Sequence, residues 1–406
     1  MAQLHIGAVA FDWYPFHPRV RRLAEAAIDA GYTVDVICLR QPHEKPYEEC
    51  NGVHVYRLPM SRNFGGSLPA TLLQWSCFLL MAGALVTRRH LKQPYDVLHI
   101  HNMPDFLVFS GLVPRLFGAK IMLDIQDVCP ELMAAKARGR LRGLWTQLAI
   151  WQERLATSFA QHVITVGWPF EERLLQRGVP REKLTTILNS ADPKLFPASR
   201  QRAPGVDGSG DERPFILMYH GTLAERNGLD TAIRALALAR RTVPQARLHI
   251  QGHGESLPGL KQLAQALEVS DAVEFSNPCP SEKIVDFVMQ GDVGIIPYRC
   301  DGFEEMVLPT KAYEFAWMRR PMIASDTVAI HSMFPAGSII LCDPASHESF
   351  AAAIVDLYQH PEKRASMAEQ AARDYLPYRW EMMAERYQQL LATLARKHTT
   401  YALAHE

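Results

Sequence analysis

Runs of mostly continuous apolar residues recur along this chain, and a segment of helical periodicity follows nearly every one. In the first half the runs are 4–10, 33–39, 53–57, 97–100, 121–125, 163–166 and 184–188, with helical stretches at 19–30, 106–117, 144–160 and 170–177. A strand that is apolar at successive positions is covered on both faces, and strands separated by helices pair in parallel. The alternation breaks at 197–214 (PASRQRAPGVDGSGDERP), which is rich in Pro, Gly and charge and has no period. It then restarts, with strands expected at 215–219, 246–251, 273–275, 293–297, 322–325 and 338–341 and helices at 229–241, 258–267, 281–289 and 348–358. The fold class this specifies is α/β, with two doubly wound Rossmann-like domains at 1–196 and 215–379 joined by the 197–214 linker. Ligands of such sheets sit beyond the strands' carboxyl ends, so the expected site is a cleft across which the two domains face each other. Residues 380–397 read as one long helix with no strand after it, and the tail 380–406 is expected to cross back to the first domain.

Charge narrows the functional classes. The 406 residues carry 43 basic and 43 acidic side chains, for a formal net charge of +0, so nothing global draws the chain to nucleic acid. Seven scattered cysteines with no C-x-x-C pair disfavour a disulfide framework or a zinc site and suit a reducing cytoplasm. The first apolar run includes His5 and reads as a strand, not a signal peptide. Residues 68–86 are almost wholly apolar, but Gln74, Ser76 and Gly83 interrupt them and they lie between two strands of one domain. A buried or interfacial helix fits them better than a membrane span. Lys136, Arg138, Arg140 and Arg142 precede Trp145 and Trp151, either a solvated basic loop or a surface for peripheral contact with an anionic membrane.

The strongest local motif begins at Gly302 and contains Leu308-Pro309-Thr310-Lys311 and Glu314. Pro309 suits the first turn of a helix, whose free N–H groups point toward an anion. Lys311 adds a positive charge there, and Glu314, about one turn deeper, is placed to accept from vicinal hydroxyls such as those of a ribose. The plain alternative is a buried amphipathic helix with Tyr313, Phe315, Ala316 and Met318 as its core face. The run from His220 and Gly221 through Thr222, Arg226 and Asn227 follows a strand, where Gly221 permits close backbone approach and Arg226 can fork onto phosphate oxygens. Gly252-His253-Gly254 follows the next strand, and the loop with Asn277 and Pro278 follows the one after.

Three loops of the first domain leave strand ends: Asp12 to Arg19 with Tyr14 and His17, His99 to Asp105 with His101 and Asn102, and Asp124 to Glu131 with Gln126 and Asp127. His99 and His101 share a strand face, but no carboxylate or cysteine lies at ligand spacing in the sequence, so no metal site is expected. A satisfied core His99, and Asp124 and Asp127 as helix caps, are the plain readings.

Taken together, Arg19-Val20-Arg21-Arg22, the 95–102 strand with His101-Asn102, Asp124-Ile125-Gln126-Asp127 with Pro130-Glu131, Asn189-Ser190-Ala191-Asp192, Gly221-Thr222-Leu223 with Arg226 and Gly228-Leu229, the 292–297 strand, and Pro309-Thr310-Lys311 with Glu314 resemble the GT4 family of retaining glycosyltransferases. That resemblance implies the GT-B fold, no metal and no cofactor, a nucleotide-diphosphate sugar as donor and a glycan or lipid-linked acceptor. It also implies bacterial surface polysaccharide or glycolipid synthesis, and the expected location is cytoplasmic, either free or associated with the inner face of the cell membrane. Carried over to these positions, it makes Gly221, Thr222, Arg226, Asn227, Gly252, Asn277, Pro278, Leu308, Pro309, Thr310, Lys311 and Glu314 donor-binding. It makes Tyr14, His17, Arg19, His101, Asn102 and Asp127 acceptor-binding, and Gln126, Arg226 and Lys311 the catalytic group. Two positions depart from the family: Met306 stands where an acid is expected, with Glu305 one residue off, and Gln126 where many relatives have histidine. A nucleotide-sugar epimerase or hydrolase, or a non-catalytic sugar-nucleotide scaffold, are the competing readings.

Overall fold

The computed structural model describes residues 3–62, 68–136, 142–201, 213–300 and 302–402. The chain divides into two compact units, residues 1–188 with 381–406 and residues 189–380. The residues just after the first division are tied to late parts of the second unit. Ser190 Oγ donates to the Tyr378 carbonyl, the Ala191 N–H to the Tyr375 hydroxyl at 2.9 Å, and Trp317 Nε1 to the Phe196 carbonyl at 2.7 Å.

The first unit is built on eight strands: β1 (His5–Trp13), β2 (Thr33–Leu39), β3 (Tyr47–Cys50), β4 (Val53–Leu58), β5 (Val97–His101), β6 (Lys120–Ile125), β7 (His162–Thr165) and β8 (Leu184–Thr186). Their order is β3-β4-β2-β1-β5-β6-β7-β8, with only β3 antiparallel among the recorded pairs. β5 and β6 are fully buried along their apolar length, as strands covered on both faces must be. The order reverses between β1 and β5, which places a crevice at their carboxyl ends. The helix Trp380–Ala402 packs its later part into this unit. Tyr387 and Leu391 are buried, the Tyr387 hydroxyl lies 3.0 Å from His99 Nδ1, and Gln388 Nε2 donates to the Ala26 carbonyl at 2.7 Å.

The second unit has six strands: β9 (Phe215–His220), β10 (Ala246–Gln251), β11 (Val273–Ser276), β12 (Val293–Ile296), β13 (Met322–Ser325) and β14 (Ile340–Cys342). They pair in parallel in the order β11-β10-β9-β12-β13-β14, so the reversal lies between β9 and β12. Leu217, Leu248, Val293 and Ile323 from its strands meet Ile233 and Leu236 of the helix Leu229–Ala239 and Phe350 and Ile354 of the helix His347–Gln359 in one core.

Several elements differ from expectation. The expected helix at 106–117 is a 3-10 turn, Asp105–Gly111, leading into a short helix, Leu112–Leu116. The polar edge strand β3 and the helices Cys129–Lys136, Val328–Met333 and Pro361–Tyr375 were not expected; the last buries Met367, Ala368, Ala371 and Tyr375 at helical spacing, a stripe that its small residues and polar composition make inconspicuous. Of the expected linker, residues 202–212 lie outside the described residues, as do Arg138 and Arg140 of the basic stretch.

Candidate functional site

In the second unit, the carboxyl ends of β9, β10 and β11 open onto a cavity of about 320 Å³. Its wall includes His220, Gly221, Thr222, Gly252, Pro278 and Glu314, so five of the expected donor residues meet in one place. Gly252 makes this possible: its φ is +156°, and a Cβ there would stand 1.9 Å from the Gly221 carbonyl oxygen. Only a residue without a side chain lets the β9 and β10 ends close to this separation.

The helix Thr310–Trp317 supplies Glu314, with Pro309 as its N-cap (φ −70°, ψ 135°), one position before the first turn where it was expected. Glu314 Oε2 lies 3.0 Å from His220 Nε2. Lys311 is buried, with its Nζ 4.0 Å from the centre of the Tyr219 ring, 5.0 Å from that of Tyr298, and 3.3 Å from the Tyr298 hydroxyl. Burial pulls the Lys311 ammonium down to about 7, although Glu314 and Glu304 work in the opposite direction. A lysine so placed has little hydration to lose when an anion arrives, and its proton affinity then rises.

Arg226 is half exposed and its Nε lies 3.2 Å from Glu304 Oε1. Glu304 is thus ion-paired with Arg226 and also acts electrostatically on Lys311. Glu304 is the acid of this segment that reaches the cations, while Met306 is buried. Asn227 does not act as expected: its side chain is buried and its Nδ2 donates to the Thr222 carbonyl at 2.5 Å, so it braces the loop instead of offering a donor to a ligand. Arg226, Asn227, Asn277, Leu308, Pro309, Thr310 and Lys311 are not on the cavity wall, although Lys311 Nζ lies behind Gly221, which is. Tyr219, Tyr298, His220 and Glu304 were assigned no role from the sequence, although aromatics and an imidazole at strand carboxyl ends are a usable signal.

In the first unit a cavity of about 100 Å³ lies at the carboxyl ends of β1, β5 and β6, walled by Asp12, His17, Arg62, His101, Asn102, Gln126 and Asp127, among others. His17 Nδ1 caps the helix Pro18–Asp29 by accepting from the Val20 N–H at 3.4 Å, so in the neutral ring the proton sits on Nε2. Burial lowers His17 to about 4 and keeps that ring neutral. His101 Nδ1 lies 2.9 Å from Asp124 Oδ2, and Gln126 Nε2 donates to the same oxygen at 3.2 Å. Burial alone would raise Asp124, but Arg19 and then His101 outweigh it and hold the carboxyl well below the usual range. With Nδ1 turned to Asp124, His101 keeps Nε2 as its remaining acceptor.

Two expected acceptor residues are corrected here. Arg19 is buried, grips both Asp124 oxygens at 2.7 and 2.8 Å and donates to the Ile187 carbonyl at 2.8 Å, which leaves it a structural counter-ion. Tyr14 is buried and is not on the cavity wall. Asn102 lines the cavity but serves as a brace, accepting from the Gln126 N–H at 2.8 Å and donating to the Asp127 carbonyl at 2.7 Å. Folding also supplies the carboxylate that the sequence spacing lacked: His99, His101 and Asp124 come together in an arrangement of metal-ligand type. Arg19 occupies both Asp124 oxygens, so the group is already charge-compensated without an ion.

Known proteins match along nearly the whole length. Residues 17–190 match the Glycosyl transferase 4-like domain family and residues 204–374 the Glycosyl transferases group 1 family. The α-D-kanosaminyltransferase of Streptomyces kanamyceticus is 27% identical over 65% of this chain and 68% of its own. A D-inositol 3-phosphate glycosyltransferase of Thermomonospora curvata is 22% identical over 90% of this chain and 87% of its own. Among solved structures, the sucrose-phosphate synthase of Thermosynechococcus elongatus superposes with a TM-score of 0.75 at 19% identity, covering 97% of this chain and 99% of that one. Anabaena HepE in complex with UDP and glucose gives 0.71 at 15% identity, covering 96% of this chain and 100% of that one. With two Rossmann-like α/β domains of the GT-B architecture and both family domains in order, the chain belongs to the GT4-type glycosyltransferases.

Proposed function

We propose that this glycosyltransferase moves a sugar from a nucleotide-diphosphate donor to a glycan or lipid-linked acceptor, with retention of configuration and without a metal. The observation that carries the reading is the meeting of Lys311, His220 and Glu314 at the β9 end, with Arg226 on the loop that follows it, where Gly221 is exposed and Gly252 lines the cavity. A diphosphate entering there would draw Arg226 from Glu304 and recharge Lys311, while Glu314 accepts from the ribose hydroxyls. The UDP-bound structural neighbour supports a donor of this class.

Charge develops on the diphosphate as the sugar leaves, and the two cations together with the first turn of the Thr310–Trp317 helix stabilise it. Gln126 hydrogen-bonds the sugar but takes no proton. We therefore propose front-face attack, in which the acceptor oxygen bonds to the anomeric carbon as the phosphate departs and the leaving phosphate oxygen receives the acceptor's proton. His17 as a donor and His101 as an acceptor suit the two polarities of a sugar hydroxyl in the 100 Å³ cavity. The family assignment favours transfer over the epimerase, hydrolase and scaffold readings. A cytoplasmic location and a part in bacterial surface polysaccharide or glycolipid synthesis complete the proposal.

Thermal-shift screening against nucleotide sugars identifies the donor, since specific binding stabilises the fold by mass action. With that donor, Arg226→Ala and Lys311→Ala are each expected to lower turnover by about 10²- to 10³-fold, the scale of removing one stabiliser of developing charge. Unchanged turnover in both variants would refute the site.

A further inference from the structure

The helix Leu68–Lys92 is long and apolar enough to cross a membrane, with a mean hydropathy of 1.6, yet only 17% of its apolar stretch is buried. It is therefore not an ordinary core helix. Nor does it span a bilayer, because it connects β4 to β5 in one sheet whose linked strands run parallel, and so returns alongside that sheet. Its outward positions follow a helical stripe: Leu73 is 66% exposed and Leu80 73%, with Ala84 exposed beyond them.

The neighbouring segments repeat the pattern. The crossovers β4 to β5, β5 to β6 and β6 to β7 all advance in the same direction across the sheet, so right-handed connections put their helices on one face. The helix Leu68–Lys92 packs on the 105–116 segment, and so does the helix Arg142–Phe159. On the former segment Leu116 is 76% exposed, and on the latter Leu148, Trp151 and Leu155 point outward at helical spacing. Outward leucines on adjoining helices make a surface too apolar to be explained as scattered exposure.

We propose that this face is a monotopic membrane-docking surface that seats the first unit on an anionic bilayer. The occupant is named by charge. No Asp or Glu occurs in residues 68–92 of a chain that has 43 of them, and the exposed charges bordering the apolar stripe are Arg88, Lys92 and, on the third helix, Arg154. Basic side chains at the margin of an apolar helix face, with a tryptophan among the leucines, suit a headgroup layer over acyl chains. The inference is independent of the donor site, whose residues lie in the other unit.

The test is flotation of the full-length protein with vesicles of phosphatidylcholine plus phosphatidylglycerol at moderate salt, beside vesicles of phosphatidylcholine alone. Wild type is expected to float with the anionic vesicles and several-fold less with neutral ones. Leu73→Glu/Leu80→Glu is expected to cut flotation by at least about tenfold. Arg88→Glu/Lys92→Glu is expected to abolish the preference for anionic lipid. Donor-induced thermal stabilisation, unchanged in all variants, shows that they are folded and keeps this test separate from that of the transfer reading. Wild type that stays at the bottom of the gradient, variants that float like wild type, or a dimer dissociated by Leu73→Glu/Leu80→Glu would each overturn the proposal, the last by giving the face to a second copy.

Discussion

In the proposed donor site, Lys311 is expected to couple nucleotide-diphosphate binding to pH. Its folded value of about 7 lies below the ordinary 10.5, so between these limits the folded state holds fewer protons than the unfolded one. Stability contributed at this position accordingly rises with pH across that window, and the desolvation penalty is fully present below about 7. A bound diphosphate favours the ammonium, so binding takes up a proton. Nucleotide-diphosphate affinity is therefore expected to fall as pH rises from 7 to 9, measurable by calorimetry in buffers of different ionisation enthalpy; Lys311→Arg should flatten the profile. Gly252→Ala is expected to cost more than about 2 kcal/mol, because its Cβ would collide with the Gly221 carbonyl, and to remove donor-induced stabilisation. The sequence pattern pointed to Gly221, Lys311 and Glu314, which the fold brings together at the β9 end, because a turn after a strand and a helix entrance call for those residue types. Arg19 was misread because sequence order hides Asp124, which folding brings from 105 positions away to neutralise it. His220, Tyr219 and Tyr298 were given no role because their contacts with Lys311 and Glu314 arise in space, not from local spacing.

At the scale of elements, both sheets were legible because burial on two faces leaves few polar residues in strands such as β9, β12 and β13. The polar helix Pro361–Tyr375 and the edge strand β3 were not, since each has a solvated side and the latter only four residues. The exposed leucines of the Leu68–Lys92 helix were beyond reach for a related reason: hydropathy reports what a helix is made of, not which face another element covers. The helix Trp380–Ala402 is held by Tyr387, whose hydroxyl meets His99 and whose ring is buried against it. Tyr387→Phe is expected to cost about 1–2 kcal/mol by leaving the His99 nitrogen without its partner. Tyr387→Ala should cost about 3–5 kcal/mol through the cavity as well. Denaturant unfolding followed by a probe in the first unit distinguishes the two.

At the scale of the molecule, the proposed metal-free transfer rests on charges already paired among the described residues: Arg19 with Asp124, Arg226 with Glu304, and Glu314 and Glu304 acting on Lys311. Transfer is accordingly expected to survive chelation with EDTA, and dependence on an added divalent cation would refute the metal-free mechanism. The first unit resumes at Glu381 after the second is complete, and this has a consequence for synthesis. Domains commonly mature in the order in which they emerge from the ribosome. Here the later-made unit holds all its own strands before Tyr387 and Leu391 exist to close the earlier one. The unit begun first is thus finished last, and the nascent chain must carry an open hydrophobic seam throughout translation of the second.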